Sequence, residues 1–235
     1  MSVELINGII KRTEYAGNLL RQGKCLAGTD VSVAQKYDGT TISSESNSFL
    51  IGIAAATGDL ASVQSIDSFL VDNKNTDIQQ ILGTAIYLGG TAYRLTNNGN
   101  NEVGAVWHQE RVKASSFSAS FNYTIGGFSA ADGFALIFCP SFFLAEAGGG
   151  LGYQGAPVNS VAVEIDIFQN LFDPNNSHIA ILQGGIVSTH LALASPTVRP
   201  SGNLGVDYSN KTLIVSHNGT QIISHPIDLQ SIIGA

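Results

Sequence analysis

The sequence is short of charge, of sulfur and of long apolar runs, and each shortage removes a class of function. Lys and Arg together number 11 against 18 Asp and Glu, a formal net charge of −7. Nucleic acid demands a basic footprint, and no basic patch or basic–aromatic interleaving supplies one, so a nucleic-acid partner is not expected. Charged residues make up only 12% of the chain, and its polar surface is instead Ser, Thr, Asn and Gln, which suits uncharged polar partners. Two cysteines, Cys25 and Cys139, lie far apart in sequence and make no disulfide framework. Buried free thiols are the simpler reading. No apolar run is long enough to span a bilayer, so no membrane insertion is expected. The opening MSVELINGIIKRTEYAG lacks the apolar core and small-residue cleavage site of a signal peptide. The expectation is a protein that stays in the cytoplasm, or that reaches a virion or the extracellular space by another route.

What is present reads as all-β. Glycine is frequent, at 26 residues, and runs of Val, Ile, Phe and Thr recur between Gly, Asn, Asp and Ser clusters. That is the pattern of an antiparallel β-sandwich. FSASFNYTI alternates: Phe117, Ala119, Phe121 and Tyr123 oppose Ser118, Ser120, Asn122 and Thr124, which predicts a strand buried on one face. Phe134 to Cys139 is apolar throughout and predicts a strand buried on both. Further strands are expected near 49–54, 66–71, 81–88, 91–96, 103–107, 178–183, 191–195 and 203–216, with Ile66, Ser68 and Leu70 facing away from Asp67, Phe69 and Val71. Trp107 reads as core or rim packing. Residues 49–235 form the expected domain. Residues 1–48 are more charged, and are either an attachment or oligomerisation segment or extra strands of the same sandwich.

The most informative stretch is VAVEIDIFQNLFDPNNSH, residues 161–178. Val161, Val163, Ile165 and Ile167 share one face of a strand; Ala162, Glu164 and Asp166 share the other. Carboxylates on an apolar strand are costly unless a cation lies among them. No Lys or Arg occurs from 114 to 198. Downstream stand Asn170, Asp173 and His178, so oxygens for a hard cation and an imidazole for a transition metal are at hand. The alternative is a strand that ends in a solvated Asp-Pro turn.

Several motifs in order give this chain a resemblance to the legume-type (L-type) lectins: YRLTNN, VGAVWHQERV, SSFSASFNYTI, ADGFALIF, GGGLGY, VAVEIDIFQN with DPNNSH, and LGVDYSNKTLIVSH with IDL. FLIGIAAATG at 49–58 resembles a strand and specificity loop that come late in the family, and SVQSIDSFLV its final strand. The chain therefore resembles a circularly permuted member; the alternatives are a piece cut from tandem copies, or strands swapped between subunits. The resemblance implies a jelly-roll sandwich of the concanavalin A-like kind. It also implies a function: binding glycans, on glycoproteins or as oligosaccharides, without cleaving them, in a homo-oligomer.

Residue by residue, the resemblance implies a transition metal, typically Mn2+, on Glu164, Asp166, Asp173 and His178. It implies Ca2+ on Asp166, the Phe168 carbonyl, Asn170 and Asp173. For the sugar it implies Asp132 as acceptor, after a cis Ala131–Asp132 bond, with Asn170 and the Gly149 backbone N–H as donors. Phe168 would lie against the apolar side of the ring, and Gly58, Asp59 and Leu60 would set which sugar fits. Retaining glycosidases on related sandwiches need a Glu after Glu-x-Asp; here Phe168 and Gln169 occupy those positions, so no proton donor stands beside Glu164 and Asp166. No catalytic residues are expected. The remaining alternative is a viral or phage fibre head that uses the same fold for attachment to host glycans. His190, His217 and His225 read as strand or turn residues without a special role.

Overall fold

A computed structural model describes residues 48–235 except 76, 127–130, 199 and 235, together with the backbone of four short strands before them. The chain divides into two compact units, Met1–Ser46 and Asn47–Ala235. In the first, β1 (Val3–Ile6) pairs with β2 (Ile9–Arg12), and β3 (Ala34–Gln35) pairs with β4 (Thr41–Ile42), both antiparallel. Cys25 and the TEYAGNLLRQ stretch lie outside the described residues.

The second unit holds β5 (Ser48–Ala56), β6 (Val63–Val71), β7 (Lys74–Asn75), β8 (Ile78–Gly83), β9 (Ile86–Gly89), β10 (Ala92–Thr96), β11 (Val103–His108) and β12 (Val112–Lys113). It continues with β13 (Phe117–Gly126), β14 (Gly133–Cys139), β15 (Val161–Asp166), β16 (His178–Gln183), β17 (Ala192–Ala194), β18 (Ser201–Ser209), β19 (Thr212–His217), β20 (Thr220–Pro226) and α1 (Leu229–Ile233). Two antiparallel sheets form a β-sandwich. The back sheet runs β20-β19-β18-β13-β6-β10-β9, with β7 on β6; the front sheet runs β17-β16-β15-β14-β5-β11-β8, with β12 on β5. No helix among the described residues is long and apolar enough to cross a membrane.

The two sheets differ in how they use their faces. In the back sheet β13 buries Phe117, Ala119, Phe121, Tyr123 and Ile125 and leaves the intervening residues more exposed, as its alternation predicts. The front sheet is covered twice. Phe134, Leu136 and Phe138 of β14 join the core between the sheets, while Ala135, Ile137 and Cys139 pack on the opposite face with Trp107, Leu151 and Tyr153. A strand with both faces covered reads as a continuous apolar run, which is why β5 and β14 show no alternation.

Two elements differ from expectation. The single strand expected at 81–88 is two, because Gly83, at φ +62°, turns the chain out of the front sheet at β8 and into the back sheet at β9. A Cβ on Gly83 would stand 2.1 Å from the Val103 carbonyl oxygen, so the turn needs glycine. Strict alternation also fails in β6. Ser68 sits at φ +51°, and the pairing with β13 slips there, so Ile66 and Phe69 both point inward. One extra residue shifts the inward set, as a β-bulge does. Finally, the chain closes with one helical turn, α1, whose Ser231 N–H donates to the Asp228 carboxylate at 3.1 Å.

Trp107 is fully buried, and its Nε1–H donates to the Phe143 carbonyl at 3.1 Å. Its ring lies over Gly52 on the neighbouring strand, where an added Cβ would come within 2.4 Å of the indole. Gly52→Ala is expected to destabilise the fold by about 1–3 kcal/mol through overpacking. A urea midpoint equal to that of the wild type would show that the indole shifts freely and that this contact does not constrain the front sheet.

Candidate functional site

The register of the front sheet gathers the site. Val103 pairs with Ala56, Ala56 with Gly133, Gly133 with Asp166, and Asp166 with His178. One row therefore crosses β11, β5, β14, β15 and β16 where each strand meets a loop. The segments 57–62, 97–102, 131–132 and 167–177 all leave the sheet along this edge, although up to about 120 residues separate them. Two rows further in, and on the same face, Glu164 lies between Ala135 and Ala180. These small neighbours leave space over its side chain.

Glu164, Asp166 and His178 are at most 2% exposed, and Asp173 is 9% exposed. Two groups of side chains have ligand atoms within 4.8 Å of one another: Glu164, His178 and His190, and Asp166, Asp173 and His178. The loop is folded by its own hydrogen bonds. Phe168 N–H donates to Asp166 Oδ1 at 2.8 Å, Asn170 N–H donates to Asp173 Oδ2 at 2.6 Å, and Asp173 N–H donates to the Asn170 carbonyl at 3.2 Å. These bonds leave other atoms unused. Of the eight buried side-chain polar atoms without a hydrogen-bond partner among the described residues, five lie here: Asp132 Oδ2, Asp166 Oδ2, Asn170 Oδ1, His178 Nδ1 and His190 Nε2.

The electrostatics agree. Burial, together with the Asp173, Glu164 and Asp132 carboxylates nearby, pushes the Asp166 carboxyl up to about 9. Burial pushes Asp132 up to about 6, and it raises Asp173 as well. The Glu164 carboxylate raises the His190 imidazole above its ordinary value. Among the described residues no Lys or Arg forms an ion pair with these acids; the Lys211–Asp228 pair lies elsewhere. Oxygen ligands, one shared imidazole and orphaned acceptors fit a hard cation beside a transition metal.

Asp132 stands next to this cluster, after a cis Ala131–Asp132 peptide bond. Its N–H donates to the Ala56 carbonyl at 2.8 Å, and its own carbonyl accepts from Ile167 N–H at 3.0 Å. The Gly58 N–H donates to its carboxylate. A cleft of about 250 Å³ opens above it, lined by Gly58, Asp59, Leu60, Asn101, Ala131, Asp132, Gly148, Gly149, Phe168 and Asn170. All seven positions that the sequence nominates around a sugar thus meet in one cleft. Gly149 has a plain steric reason: its Cβ would lie 2.2 Å from Asn170 Oδ1.

Four contributors escaped the sequence reading. Ser62 and Gln64, both fully buried, donate to the Ala131 carbonyl at 2.6 and 3.1 Å and so hold the turn before Asp132. Asn101 forms part of the cleft wall, its N–H donating to the Gly58 carbonyl at 3.0 Å. The N-N-G-N-N run at 97–101 marks a tight loop, but nothing in it says which other loop it would touch. His190, read as a turn residue without a role, has its Nε2 3.2 Å from Glu164 Oε1.

The buried carboxylates and the polar cleft beside them are set on one edge of a β-sandwich, and comparison with known sequences identifies its family. A family model, the legume lectin domain, matches residues 64–235. A seed lectin from Vatairea macrocarpa is 30% identical over 140 residues, which cover 54% of this chain and 58% of that lectin. The chain belongs to the legume lectin family. The family match begins inside β6 and extends to residue 235, so its span takes in every later strand of the sandwich. β5 and the 57–62 loop lie ahead of the match, yet β5 occupies the middle of the front sheet.

The raised carboxyls fix a sign for pH dependence. Asp166 and Asp132 hold protons in the folded chain that the unfolded chain releases near 3.8. In EDTA their contribution to stability is complete below about pH 4 and is lost as pH rises, through about 6 for Asp132 and about 9 for Asp166. The melting temperature in EDTA should therefore fall between about pH 5 and pH 9, and Asp166→Asn should flatten that fall. A flat profile for the wild type would contradict the burial of unbalanced acids.

Proposed function

We propose that this protein is a calcium- and transition-metal-dependent lectin that binds glycans through the cleft above Asp132 and does not hydrolyse them. The observation that carries this reading is the convergence of unpartnered Asp132 Oδ2 and Asn170 Oδ1 on one polar cleft beside the buried acids. Sugar hydroxyls are the natural donors for the Asp132 oxygen, and a hard cation is the natural partner of the Asn170 oxygen, which leaves the Asn170 amide nitrogen to donate. Asp132 would accept from two hydroxyls, Asn170 and the Gly149 N–H would donate, and Phe168 would meet the apolar side of the ring. Gly58, Asp59 and Leu60, with Asn101 behind them, would select the sugar by shape. Asp166, Asp173, Asn170 and the Phe168 carbonyl would hold Ca2+, with Glu164 and His178 completing a site for Mn2+ or a related ion. Bound there, the ions would neutralise the acids and fix the loop that carries Asn170.

The absence of a carboxyl at Phe168 and Gln169 supports binding over hydrolysis. Each hydroxyl exchanges water for protein, so a single site is weak, and a homo-oligomer would supply avidity. The place of β5 in the front sheet, ahead of the family match, supports a circularly permuted order of elements. A second reading, a viral or phage attachment head with the same sugar site, draws support from the separate Met1–Ser46 unit.

A glycan array run with and without EDTA tests the proposal. Binding is expected with Ca2+ and Mn2+ present and should vanish on chelation. Asp132→Asn should weaken the best ligand about 10- to 100-fold, the worth of a hydrogen bond to a charged group. Binding that survives complete chelation would sink the metal dependence, and no binding to any glycan with metals present would sink the lectin reading.

A further inference from the structure

The proposed transition-metal site draws on Glu164, Asp166, Asp173 and His178, a set with one imidazole. The fold brings a second imidazole to it. His190 lies in the loop between β16 and β17, and that loop is tied down by the Leu191 N–H donating to the Ile181 carbonyl at 2.8 Å. The rings of His178 and His190 stand edge to face, with centroids 5.2 Å apart and planes at 88°. Both Nε2 atoms lie 3.2 Å from the same oxygen, Glu164 Oε1.

Distance and direction together separate an ion pair from a ligand set. Charge-assisted hydrogen bonds to carboxylates run about 2.7–2.9 Å, so both contacts are long. The His178 contact still makes a hydrogen bond, whereas His190 Nε2 is left without a hydrogen-bond partner. Ligand atoms bound to one ion at about 2.1 Å, at angles near 100°, stand about 3.2 Å apart. That is the spacing of each imidazole from Glu164 Oε1, and all three ligand atoms lie within 4.8 Å of one another. Glu164 is 2% exposed, His178 is fully buried and the His190 side chain is 13% exposed, so the three ligand atoms are largely removed from solvent.

We propose that His190 is a direct ligand of the transition metal, adding a second imidazole to the set of Glu164, Asp166, Asp173 and His178. Imidazole favours cobalt, nickel, copper and zinc, whereas manganese is suited to oxygen donors. The second imidazole therefore biases this site towards the later ions and leaves calcium binding untouched. The inference rests on the metal-binding reading of the same cluster, and the experiment separates the two.

Full-length protein is stripped with EDTA, dialysed, and titrated with Co2+ and Mn2+. Co2+ binding is followed by its visible absorption and Mn2+ binding by loss of the free-ion EPR signal. His190→Ala and His190→Gln are compared with wild type, with His225→Ala, on β20 of the other sheet, as a control. Circular dichroism in EDTA verifies that each variant is folded. Both His190 variants should lose at least about tenfold in Co2+ affinity, since even residues outside the ligand set cost 10- to 100-fold when removed. Their Co2+ spectra should shift as a nitrogen donor is lost, and Mn2+ affinity should fall by less. His225→Ala should match wild type. Co2+ affinities and spectra identical in wild type and both variants would overturn the role of His190 alone and leave it in a plain pair with Glu164. Failure of wild type to take up either ion would overturn the metal-binding reading itself.

Discussion

Buried negative charge without a basic counterpart is the constraint on which the rest of this structure depends. Glu164 and Asp166 project from a strand whose other face is hydrophobic core, and Asp173 folds back onto them from the next loop. In a medium of low polarity such a cluster either keeps its protons or gathers a cation. The raised Asp166 and Asp132 carboxyls are the first of these outcomes, and the orphaned atoms around them are the preparation for the second. The legume lectin scaffold makes the cluster tolerable by surrounding it with rigid, fully covered strands.

That rigidity comes from covering the front sheet twice. The core between the sheets takes one face, and the segment carrying Leu151, Tyr153 and Ala156 takes the other. Trp107 bridges strand and cover, resting on Gly52 and bonding to Phe143. Loops anchored on such a sheet lose little further freedom when a ligand arrives, which favours binding by groups that are individually weak. The hydrogen bonds of Ser62 and Gln64 to the Ala131 carbonyl, and of Asn101 to Gly58, extend the same rigidity into the cleft. Cys139 is a buried apolar contact of that second cluster, and burial raises its thiol.

Much of the fold and part of the site were legible in the sequence, because both follow from local pattern. The alternation of Phe117 to Tyr123 and the unbroken apolar run from Phe134 to Cys139 each predicted the burial the strand shows. The spacing of Glu164, Asp166, Asp173 and His178 announced a cluster because two of them share a strand face and the others come within one loop. Where the pattern misled, a backbone irregularity intervened. Ser68 inserts a bulge into β6, and Gly83 sends one apparent strand into two sheets. Neither leaves a signature distinct from ordinary Ser or Gly in a strand-like run.

The amino-acid order by itself determined which strands are buried on one face or two, which acids lack a basic neighbour, and that Phe168 and Gln169 stand where a catalytic Glu would follow Glu164 and Asp166. Each is a matter of side-chain period or of residue type at short spacing. Only the tertiary structure decided that Gly58, Asn101, Asp132 and Asn170 share one cleft, that Ser62 and Gln64 hold its turn, and that His190 meets His178 over Glu164. Those meetings depend on the pairing of β5 between β11 and β14, and of β16 with β17. Register across a sheet is fixed by packing between distant strands, and no local stretch of sequence carries that information.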